Sequence, residues 1–277
     1  MRLIADSGST KTDWCVVDGG NQVCRLAGQG INPFQQSLEK IEGIVRSELV
    51  SNITCADAIS EIEFYGAGCR DSMIGSLERM FRKIFVNAAA VEVCSDMLGA
   101  ARALFGTDEG IACILGTGAN SCLYDGKGIV SNVPPLGYIL GDEGSGAVLG
   151  KLFVNALFKG GLSRLLRDKF LSETGLTLPD IINKVYREPM ANRFLASLSV
   201  FIHENLADNE LEALVVDNFR AFFKRNVDLY RRKDLAVGAV GSVAYFYKAQ
   251  LELAADIEGY RLLCVVKSPL DLLIKPR

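Results

Sequence analysis

The chain begins with short apolar runs that are separated by polar turns. Strand-length runs occupy residues 3–5, 13–17 and 22–27, and the turns between them lie at residues 6–12 and 18–21. Runs of this length, bounded by Gly, Ser, Asn and Asp, are typical of strands joined by tight turns. The pattern predicts a three-stranded antiparallel meander.

From residue 38 the apolar positions recur at helical spacing. Leu38, Ile41, Val45 and Leu49 would lie on one face of an amphipathic helix, because an α-helix turns once every 3.6 residues. Further strands are predicted over residues 62–65 and 91–94, and further helices over residues 73–85 and 97–104.

The opening pattern then recurs. Strand, Gly/Thr turn and strand follow over residues 111–115, 116–120 and 121–124, and an Asp-Gly pair closes this unit as it closes the first. A supersecondary unit that appears twice, roughly one small domain apart, predicts two related domains that face each other.

These two units define the expected domains. We expect an N-terminal domain over residues 1–105 and a C-terminal domain over residues 106–267, with a hinge near Gly106 and residues 268–277 packing back on the first domain. The C-terminal domain is predicted to be mainly helical. Its predicted elements are helices over 147–158, 162–173, 179–187, 193–206, 211–230 and 243–256, and strands over 235–240 and 262–266.

Composition and charge limit the expected binding partners and the expected cellular location of the protein. The 277 residues are 49% hydrophobic and carry a formal net charge of −3, so nucleic acid is not an expected partner. No apolar run reaches the roughly 18 residues of a membrane span, and Asp6 interrupts any signal-like apolar core. The eight cysteines are scattered without a C-x-x-C pair, which is typical of buried thiols in a reducing compartment. We expect a cytoplasmic protein with no membrane partner.

The single histidine limits the chemistry. A Ser-His-Asp triad or a multi-histidine metal site would have to be built on His203 alone. Because His203 lies in a predicted amphipathic helix, we interpret it as a residue on the face of that helix.

The two polar turns have the composition of phosphate-binding loops. Glycine lets backbone N–H groups approach phosphate oxygens, and hydroxyl side chains can donate to the same oxygens. Neither turn has the spacing of a Walker A loop, and both lead into strands. One such turn is equally consistent with an ordinary hairpin loop, but two in a duplicated context favour phosphate. The candidates are Ser7, Gly8, Ser9, Thr10, Lys11 and Thr12 in the first turn and Gly116, Thr117 and Gly118 in the second.

Acidic residues lie beside these turns and before helices. Asp6 is the candidate Mg²⁺ anchor, because a carboxylate next to phosphate needs a cation between them; the alternative is an aspartate that caps the turn. Asp96 precedes a helix, and its position alone favours a helix N-cap over a catalytic base. Asp142 and Glu143 could cap the following helix or accept hydrogen bonds from sugar hydroxyls.

A strand that turns tightly into a helix lies near the end of the chain, over residues 237–244. Its small residues would let the flat face of a nucleotide base lie on the backbone. The candidates are Gly238, Gly241 and Ser242.

Taken in order, these motifs resemble the actin-like ATPase superfamily of sugar kinases, actin and heat-shock ATPases, and within it the N-acetylglucosamine kinase group. That group belongs to a wider ATPase family with the activators of benzoyl-CoA reductase and 2-hydroxyacyl-CoA dehydratase. The resemblance covers nearly the whole chain. It implies an α/β fold of two ribonuclease H-like (actin-like ATPase) domains with a cleft between them.

The resemblance also implies roles for single residues. The two turns look like the phosphate motifs, and residues 238–244 look like the adenosine motif, for ATP with Mg²⁺. Asp96 looks like the catalytic base, which reverses the preference for a cap. One departure is the segment 66–69, which lacks the serine that amino-sugar kinases tend to carry there. The residues that look like sugar contacts are Asn32, Gly68, Asp96, Thr117, Asn120 and Asp142.

The expected function is ATP-dependent phosphorylation of a sugar hydroxyl, with N-acetylglucosamine or a related amino sugar accepting at O6. Two alternatives stay open: an ATPase that activates a partner enzyme, and a non-catalytic sugar sensor. The activators bind an iron–sulfur cluster through cysteines, and Cys55, Cys69 and Cys94 show no paired cluster spacing. A homodimer is expected at the level of the family only.

Overall fold

The computed structural model describes residues 1–8 and 10–275, and of Asp71 only the backbone. The chain divides into two compact units. The first unit holds Met1–Asp108, Gly126–Gly128 and the residues from Ser268 onward, and the second holds Glu109–Asp125 and Ile129–Lys267.

The first unit is a five-stranded mixed sheet with helices. Its strands are β1 (Arg2–Ser7), β2 (Lys11–Asp18), β3 (Asn21–Gln29), β4 (Glu61–Gly66) and β5 (Ala90–Ser95), and its helices α1 (Leu38–Ile44), α2 (Asp71–Ile84) and α3 (Asp96–Phe105). The strand order is β3-β2-β1-β4-β5. Strands β1 to β3 are antiparallel, whereas β4 and β5 run parallel to β1. The predicted meander and the strands and helices that follow it are confirmed.

Aromatic side chains fill the core of the first unit. Trp14, Phe64 and Phe81 are each at most 2% exposed, and their ring centroids lie 5.3 to 6.5 Å apart. Burying side chains of this size stabilises the fold by about 2–3 kcal/mol each. This core anchors the strands whose ends carry the candidate residues.

The second unit repeats the sheet of the first. Its strands are β6 (Glu109–Leu115), β7 (Ala119–Asp125), β8 (Ile129–Asn132), β9 (Ala236–Val240) and β10 (Arg261–Val266), in the order β10-β9-β6-β7-β8. Strands β6 to β8 form an antiparallel meander, and β9 and β10 run parallel to β6. Each unit therefore has a three-stranded meander extended by two parallel strands, and the predicted repeat is confirmed.

Most of the helices belong to the second unit. They are α4 (Gly137–Leu140), α5 (Gly146–Lys159), α6 (Arg164–Thr174), α7 (Leu178–Tyr186), α8 (Ala191–Ser197), α9 (Ser199–Glu204), α10 (Asn209–Arg225), α11 (Ser242–Phe246) and α12 (Lys248–Glu258). Their apolar faces bury a second core that includes Phe153, Phe170 and Phe201. Among the described residues, no helix is both long enough and apolar enough to cross a membrane.

Three predicted helices are wrong in extent. The helix over 193–206 divides at Leu198, the helix over 243–256 divides at Tyr247, and the helix over 211–230 ends at Arg225 before a 3₁₀ turn. Tyr247 is 1% exposed and its hydroxyl donates to the carbonyl oxygen of Ser199. It leaves helical geometry (φ −109°, ψ 31°) while making this contact. The short elements β8 and α4 were not predicted, since four residues carry no readable period.

A last helix, α13 (Leu270–Leu273), packs on the first unit. Leu270 and Leu273 are buried against Ile4 and Val17. An Arg2 guanidinium nitrogen donates to the carbonyl oxygen of Leu273 at 3.2 Å. The sheet of the first unit is thus covered on this face by residues from both ends of the chain.

Candidate active site

The carboxyl ends of three strands meet at one edge of the first sheet. Strands β1, β4 and β5 are parallel, and Ser7 pairs with Gly66, which pairs with Ser95. The turn after β1, the loop after β4 and the start of α3 after β5 therefore share this edge. Ligands of open α/β sheets bind outside the carboxyl ends of parallel strands, so this edge is the candidate site of the first unit.

Asp6 lies at this edge among other carboxylates. Burial, together with the negative charges of Asp96 and Asp13, raises the pKa of Asp6 to about 7, against an opposing effect of Lys11. The Asp13 carboxylate itself pairs with the Lys11 ammonium at 2.7 Å. The structure thus brings the predicted metal anchor and the predicted base into electrostatic contact.

Asp96 is not the N-cap of α3. That role belongs to Ser95, whose hydroxyl accepts the backbone N–H of Leu98 at 3.2 Å. The Asp96 carboxylate accepts the N–H of Met97 at 2.9 Å, and burial raises its pKa. The position-based interpretation of Asp96 as the cap is therefore wrong, and its carboxylate is available for another role.

The hydroxyls of Ser7 and Thr12 brace the first turn from inside. Both residues are fully buried, and their oxygens lie 2.6 Å apart. Ser7 also accepts the N–H of Ile31, and Thr12 donates to the carbonyl oxygen of Gln29 at 2.9 Å. Their predicted contact with phosphate stays a prediction, since the structure gives both hydroxyls protein partners.

The rest of the first turn faces outward. Gly8, Thr10 and Lys11 are exposed, and the N–H of Gly8 donates to the carbonyl oxygen of Lys11 at 2.9 Å. Ser9, also a predicted phosphate contact, lies outside the described residues. Among the described residues of this turn, Gly8, Thr10 and Lys11 are therefore the exposed ones that could meet an anion.

Asn32 and Gly68 lie against each other near the same edge. A Cβ on Gly68 would lie 2.1 Å from Asn32 Oδ1, and Gly68 has φ +76°, so both space and backbone geometry require glycine there. Asn32 is 7% exposed, and its Oδ1 accepts the N–H of Phe34 at 3.0 Å. Two of the three predicted sugar contacts of the first unit are thus adjacent.

In the second unit, the Gly116 turn is held by the start of α5. The N–H of Gly146 donates to the carbonyl oxygen of Gly116 at 2.8 Å, and the N–H of Ala147 to that of Thr117 at 3.1 Å. Ser145 caps α5 by accepting the N–H of Val148. Neither Asp142 nor Glu143 is the cap that the sequence also allowed.

Asp142 occupies a constrained position beside this turn. It adopts left-handed geometry (φ 56°), and its carboxylate accepts the N–H groups of Gly137 and Ala119. Burial raises the pKa of Asp142 to about 6, although these hydrogen bonds oppose the rise. Asn120, another predicted sugar contact, accepts the side-chain amide of Asn132 at 2.8 Å.

Helix α10 holds the loop that carries Asp142. Asn218, 1% exposed, accepts the N–H of Gly144 at 3.1 Å and donates to the carbonyl oxygen of Ser145. Glu143 pairs with Arg225 at 2.9 Å. The expectation that both acids face a sugar is therefore weakened for Glu143, whose carboxylate already has a cationic partner.

Gly238, Gly241 and Ser242 lie at the end of β9 and the start of α11. Gly238 is buried in the middle of the sheet, between β6 and β10. Gly241 has φ +119°, and a Cβ there would lie 2.3 Å from the carbonyl oxygen of Leu115. The adenosine-type motif and the Gly116 turn are therefore in direct backbone contact within this unit.

A largely apolar cavity of about 170 Å³ opens beside Ser242. It is lined by α9 and α11, through Val200, His203, Val243 and Phe246 among others. The His203 ring lies 5.6 Å from that of Phe246 and 5.4 Å from that of Tyr247. Sequence reasoning missed this role of His203, because its neighbours come from a helix some forty residues away.

Comparison with known proteins decides the family. No protein-family model and no curated protein matches the chain. Among solved structures, a proposed N-acetylglucosamine kinase from Porphyromonas gingivalis is 49% identical, with a TM-score of 0.96, over 99% of this chain and 97% of its own. This chain belongs to the N-acetylglucosamine kinase family. The expected family and the actin-like fold are confirmed.

More distant structures share the fold. A proposed N-acetylglucosamine kinase from Chromobacterium violaceum is 21% identical with a TM-score of 0.75, over 99% of this chain and 98% of its own. The ROK hexokinase of Thermus thermophilus is 16% identical with a TM-score of 0.51, over 96% and 92%. Both likenesses cover the two units of this family member from end to end.

Proposed function

We propose that this protein transfers the γ-phosphoryl group of ATP to a hydroxyl of N-acetylglucosamine or a related amino sugar, at O6. The observation that carries the proposal is the full-length likeness, at 49% identity, to the proposed N-acetylglucosamine kinase from P. gingivalis. The grouping of Asp6 and Asp96 at one sheet edge, with raised pKa values, supports it from the chemistry.

Asp96 is the proposed base. In the transfer, the bond between the γ-phosphorus and the bridging oxygen of the leaving ADP breaks, and a bond from the sugar oxygen to that phosphorus forms. The proton of the attacking hydroxyl passes to the Asp96 carboxylate. A raised pKa suits this role, because a base works best when its pKa lies near the working pH.

Asp6 is the proposed anchor for Mg²⁺. The raised pKa of Asp6 reflects burial and the nearby carboxylates Asp96 and Asp13, and a divalent cation would relieve that excess of negative charge. In the described part of the chain, no three candidate ligands are grouped closely enough to hold a metal alone. This fits Mg²⁺, which typically uses one or two carboxylates together with water and substrate phosphates. When bound, Mg²⁺ neutralises charge on the phosphates.

The two glycine turns are the proposed phosphate contacts. The exposed residues Gly8, Thr10 and Lys11 are the contacts proposed in the first turn, and the half-buried residues Gly116, Thr117 and Gly118 are those proposed in the second. The Lys11 ammonium adds a positive charge beside an otherwise acidic edge. The role of Ser7 and Thr12 would then be to hold the first turn in shape.

The cavity beside Ser242 is the proposed site of the nucleotide base. Gly241 brings this cavity against the Gly116 turn through its contact with Leu115, so base and phosphates could be bound by neighbouring parts of one unit. The apolar walls of Val200, Val243 and Phe246 suit the flat face of a purine. Gly238 lies three residues before Gly241, buried within β9.

The proposed sugar contacts are Asn32, Gly68, Thr117, Asn120 and Asp142. Asp142 is the most constrained of them, since its left-handed backbone and two N–H donors hold its carboxylate in place. A carboxylate held in this way can accept hydrogen bonds from sugar hydroxyls without losing side-chain freedom on binding. A homodimer stays a prediction.

The test is a coupled assay of ADP release with Mg-ATP and a panel of sugars. The panel contains N-acetylglucosamine, N-acetylmannosamine, glucosamine and glucose, with 6-deoxy-N-acetylglucosamine as the matched acceptor that lacks the O6 hydroxyl. We expect ADP release that requires an amino sugar and vanishes with the 6-deoxy sugar. ADP release at the same rate with and without every sugar would contradict the proposal and favour an ATPase that activates a partner.

A further inference from the structure

A lysine lies at the same edge of the second sheet as the Gly116 turn and the start of α11. Strands β6, β9 and β10 are parallel, so their carboxyl ends share one edge, where ligands of such sheets bind. The residues that directly follow these strands are Gly116, Gly241 and Lys267. Of these three residues only Lys267 carries a charge, and it was not a candidate from the sequence.

Strand pairing fixes the position of the Lys267 backbone. The preceding residue, Val266, pairs with Val240 of β9, and the N–H of Gly241 donates to the carbonyl oxygen of Val266 at 3.1 Å. Neighbouring strands lie about 4.8 Å apart. Lys267 therefore lies about one strand spacing from Gly241 and about two from the strand that leads into the Gly116 turn.

The Lys267 side chain lies against the proposed site of the nucleotide base. Its ammonium nitrogen lies 5.1 Å from the centroid of the Phe246 ring, and Phe246 is one wall of the cavity beside Ser242. Lys267 is exposed, and the attraction between a cation and a ring is weak at an exposed site. An anion that enters next to this wall can therefore draw the ammonium away from the ring.

The order of these groups along the sheet edge selects one phosphate of the nucleotide. In the proposed arrangement the base lies against Phe246, and the phosphates reach the Gly116 turn. The α-phosphate is the one bonded to the ribose, so it has to lie between these two places. Gly241 and Lys267 occupy the strand ends there. A lysine ammonium binds a phosphate as a compact positive charge with three N–H donors.

The neutrality of the rest of this edge gives the charge of Lys267 its weight. The proposed phosphate contacts of this unit, Gly116, Thr117 and Gly118, can offer N–H and hydroxyl donors but no cation. A hydrogen bond from a charged donor to a phosphate is shorter and stronger than one between neutral groups. The alternative role of Lys267 is to cover the Phe246 ring with its apolar stem and shield it from water.

We infer that Lys267 binds the α-phosphate of the nucleotide whose base lies against Phe246. The inference rests on the proposed function, since it assigns a further residue to the nucleotide of that reaction. The α-phosphate keeps all its bonds during the transfer. Lys267 therefore contributes affinity for the nucleotide and takes no part in the breaking or forming of bonds.

The test measures the affinities of adenosine, AMP, ADP and ATP by calorimetry in the presence of Mg²⁺. These four ligands differ only in the number of phosphates. We expect Lys267→Gln to bind AMP, ADP and ATP each about tenfold more weakly than the wild type, the size of one charge-assisted hydrogen bond, and to bind adenosine equally well. Lys267→Arg should keep most of the affinity for the three phosphorylated ligands, because arginine retains the charge.

The matched control is Arg261→Gln, which makes the same charge change at the opposite, exposed end of β10. It should leave all four affinities at the wild-type values, which separates a direct contact from a general loss of positive charge. Phe246→Leu should weaken the binding of adenosine as well, because it alters the wall of the cavity itself.

Three results would overturn the inference. Wild-type affinity for AMP in Lys267→Gln would show that this lysine does not bind the α-phosphate, and a loss that begins only with ADP or ATP would assign it to a later phosphate. An equal loss with adenosine would mean that Lys267 only shields the Phe246 ring. If the wild type binds ATP and Lys267→Gln changes nothing, the proposed function stands without this inference; if the wild type binds none of the four ligands, both are wrong.

Discussion

The two sheets have the same strand order, but the side chains at their matching strand ends differ in charge. In the first unit, the strand before the glycine turn carries Asp6, paired across the hairpin with Asp13. The matching pair in the second unit, two residues before Gly116, is Ile114 with Asn120. The residue after the outer parallel strand is Asp96 in the first sheet and Lys267 in the second.

In the proposed function, this difference assigns two tasks to one scaffold. The acidic edge would handle a proton and a cation, whereas the uncharged second turn would bind an anion without repelling it. The support differs as well. Ser7 and Thr12 brace the first turn from within, while the second turn is held by hydrogen bonds from the start of α5. A duplicated fold thus keeps its geometry and changes only the groups at its strand ends.

The largest effect is expected for Asp96→Asn, which tests the proposed role of the acidic edge of the first sheet. We expect kcat to fall by about 10²- to 10⁴-fold, because the variant cannot accept the proton of the sugar hydroxyl. Nucleotide affinity should change little. Turnover with N-acetylglucosamine and ATP affinity by calorimetry measure the two quantities. Ser95→Ala is the control: it should cost about 1 kcal/mol of unfolding free energy through loss of the cap, with turnover kept. Full activity in Asp96→Asn would exclude this residue as the base.

The contact between the two strand ends of the second unit is tested by Gly241→Ala. An added Cβ would lie 2.3 Å from a backbone oxygen of Leu115, at φ +119°, a geometry that is open almost only to glycine. We expect a loss of about 4 kcal/mol of unfolding free energy, measured by urea denaturation. Gly116→Ala is the matched control, since a Cβ there meets nothing within 4 Å. Equal stabilities of the two variants would contradict the packing argument.

Because of Asp6 at the acidic edge, we expect the unfolding free energy to depend on pH. Its folded-state pKa of about 7 lies above the ordinary value of 3.8, so the folded state holds the proton more tightly. Stability from this group is therefore present below about pH 4 and is lost as the pH rises towards 7. Asp6→Asn removes that loss. We expect it to exceed the wild type by about 2–3 kcal/mol in unfolding free energy at pH 8, while nearly matching it at pH 4.

The measurement is urea denaturation of both proteins at several pH values from 4 to 8. Asp142, whose pKa is also raised, to about 6, titrates in both proteins and cancels in the difference. A difference that does not grow between pH 4 and pH 8 would show that Asp6 is not held in an unfavourable charged state.

The smallest of these effects concerns the support of the second turn. Asn218→Ala leaves the N–H of Gly144 and the carbonyl oxygen of Ser145 without their buried partner. We expect a loss of about 2 kcal/mol of unfolding free energy and a higher KM for the sugar, because the loop bearing Asp142 loosens. Asn183→Ala on α7, an exposed asparagine, should change stability by under about 0.5 kcal/mol. An unchanged KM in Asn218→Ala would show that α10 does not support the proposed sugar site.

Local patterns in the sequence determined much of the fold. Strand-length apolar runs and their Gly-rich turns located the two meanders, because a strand with its turn is specified within a few residues. The repeat of that pattern predicted two related units before any contact was known. The glycines of the turns and of the segment before α11 were also readable, since each marks a place where backbone must come close.

Only the tertiary structure decided which polar groups are available. The sequence could not distinguish Ser95 from Asp96 as the cap, nor show that Glu143 is paired with Arg225. The break at Tyr247 depends on a hydrogen bond to Ser199, about fifty residues away. Such choices depend on partners that are distant along the chain, so no local pattern carries them.

The same reason explains the residues that sequence reasoning missed. Lys267 reaches Phe246 because β10 lies beside β9, which leads into α11, and His203 reaches Phe246 because α9 packs beside α11. Periodicity and propensity act over one or two turns of chain. Burial, charge and hydrogen bonding between distant segments depend on how those segments pack. The sequence thus determined where strands end and turns begin, and packing decided which side chains at those ends remain free to bind.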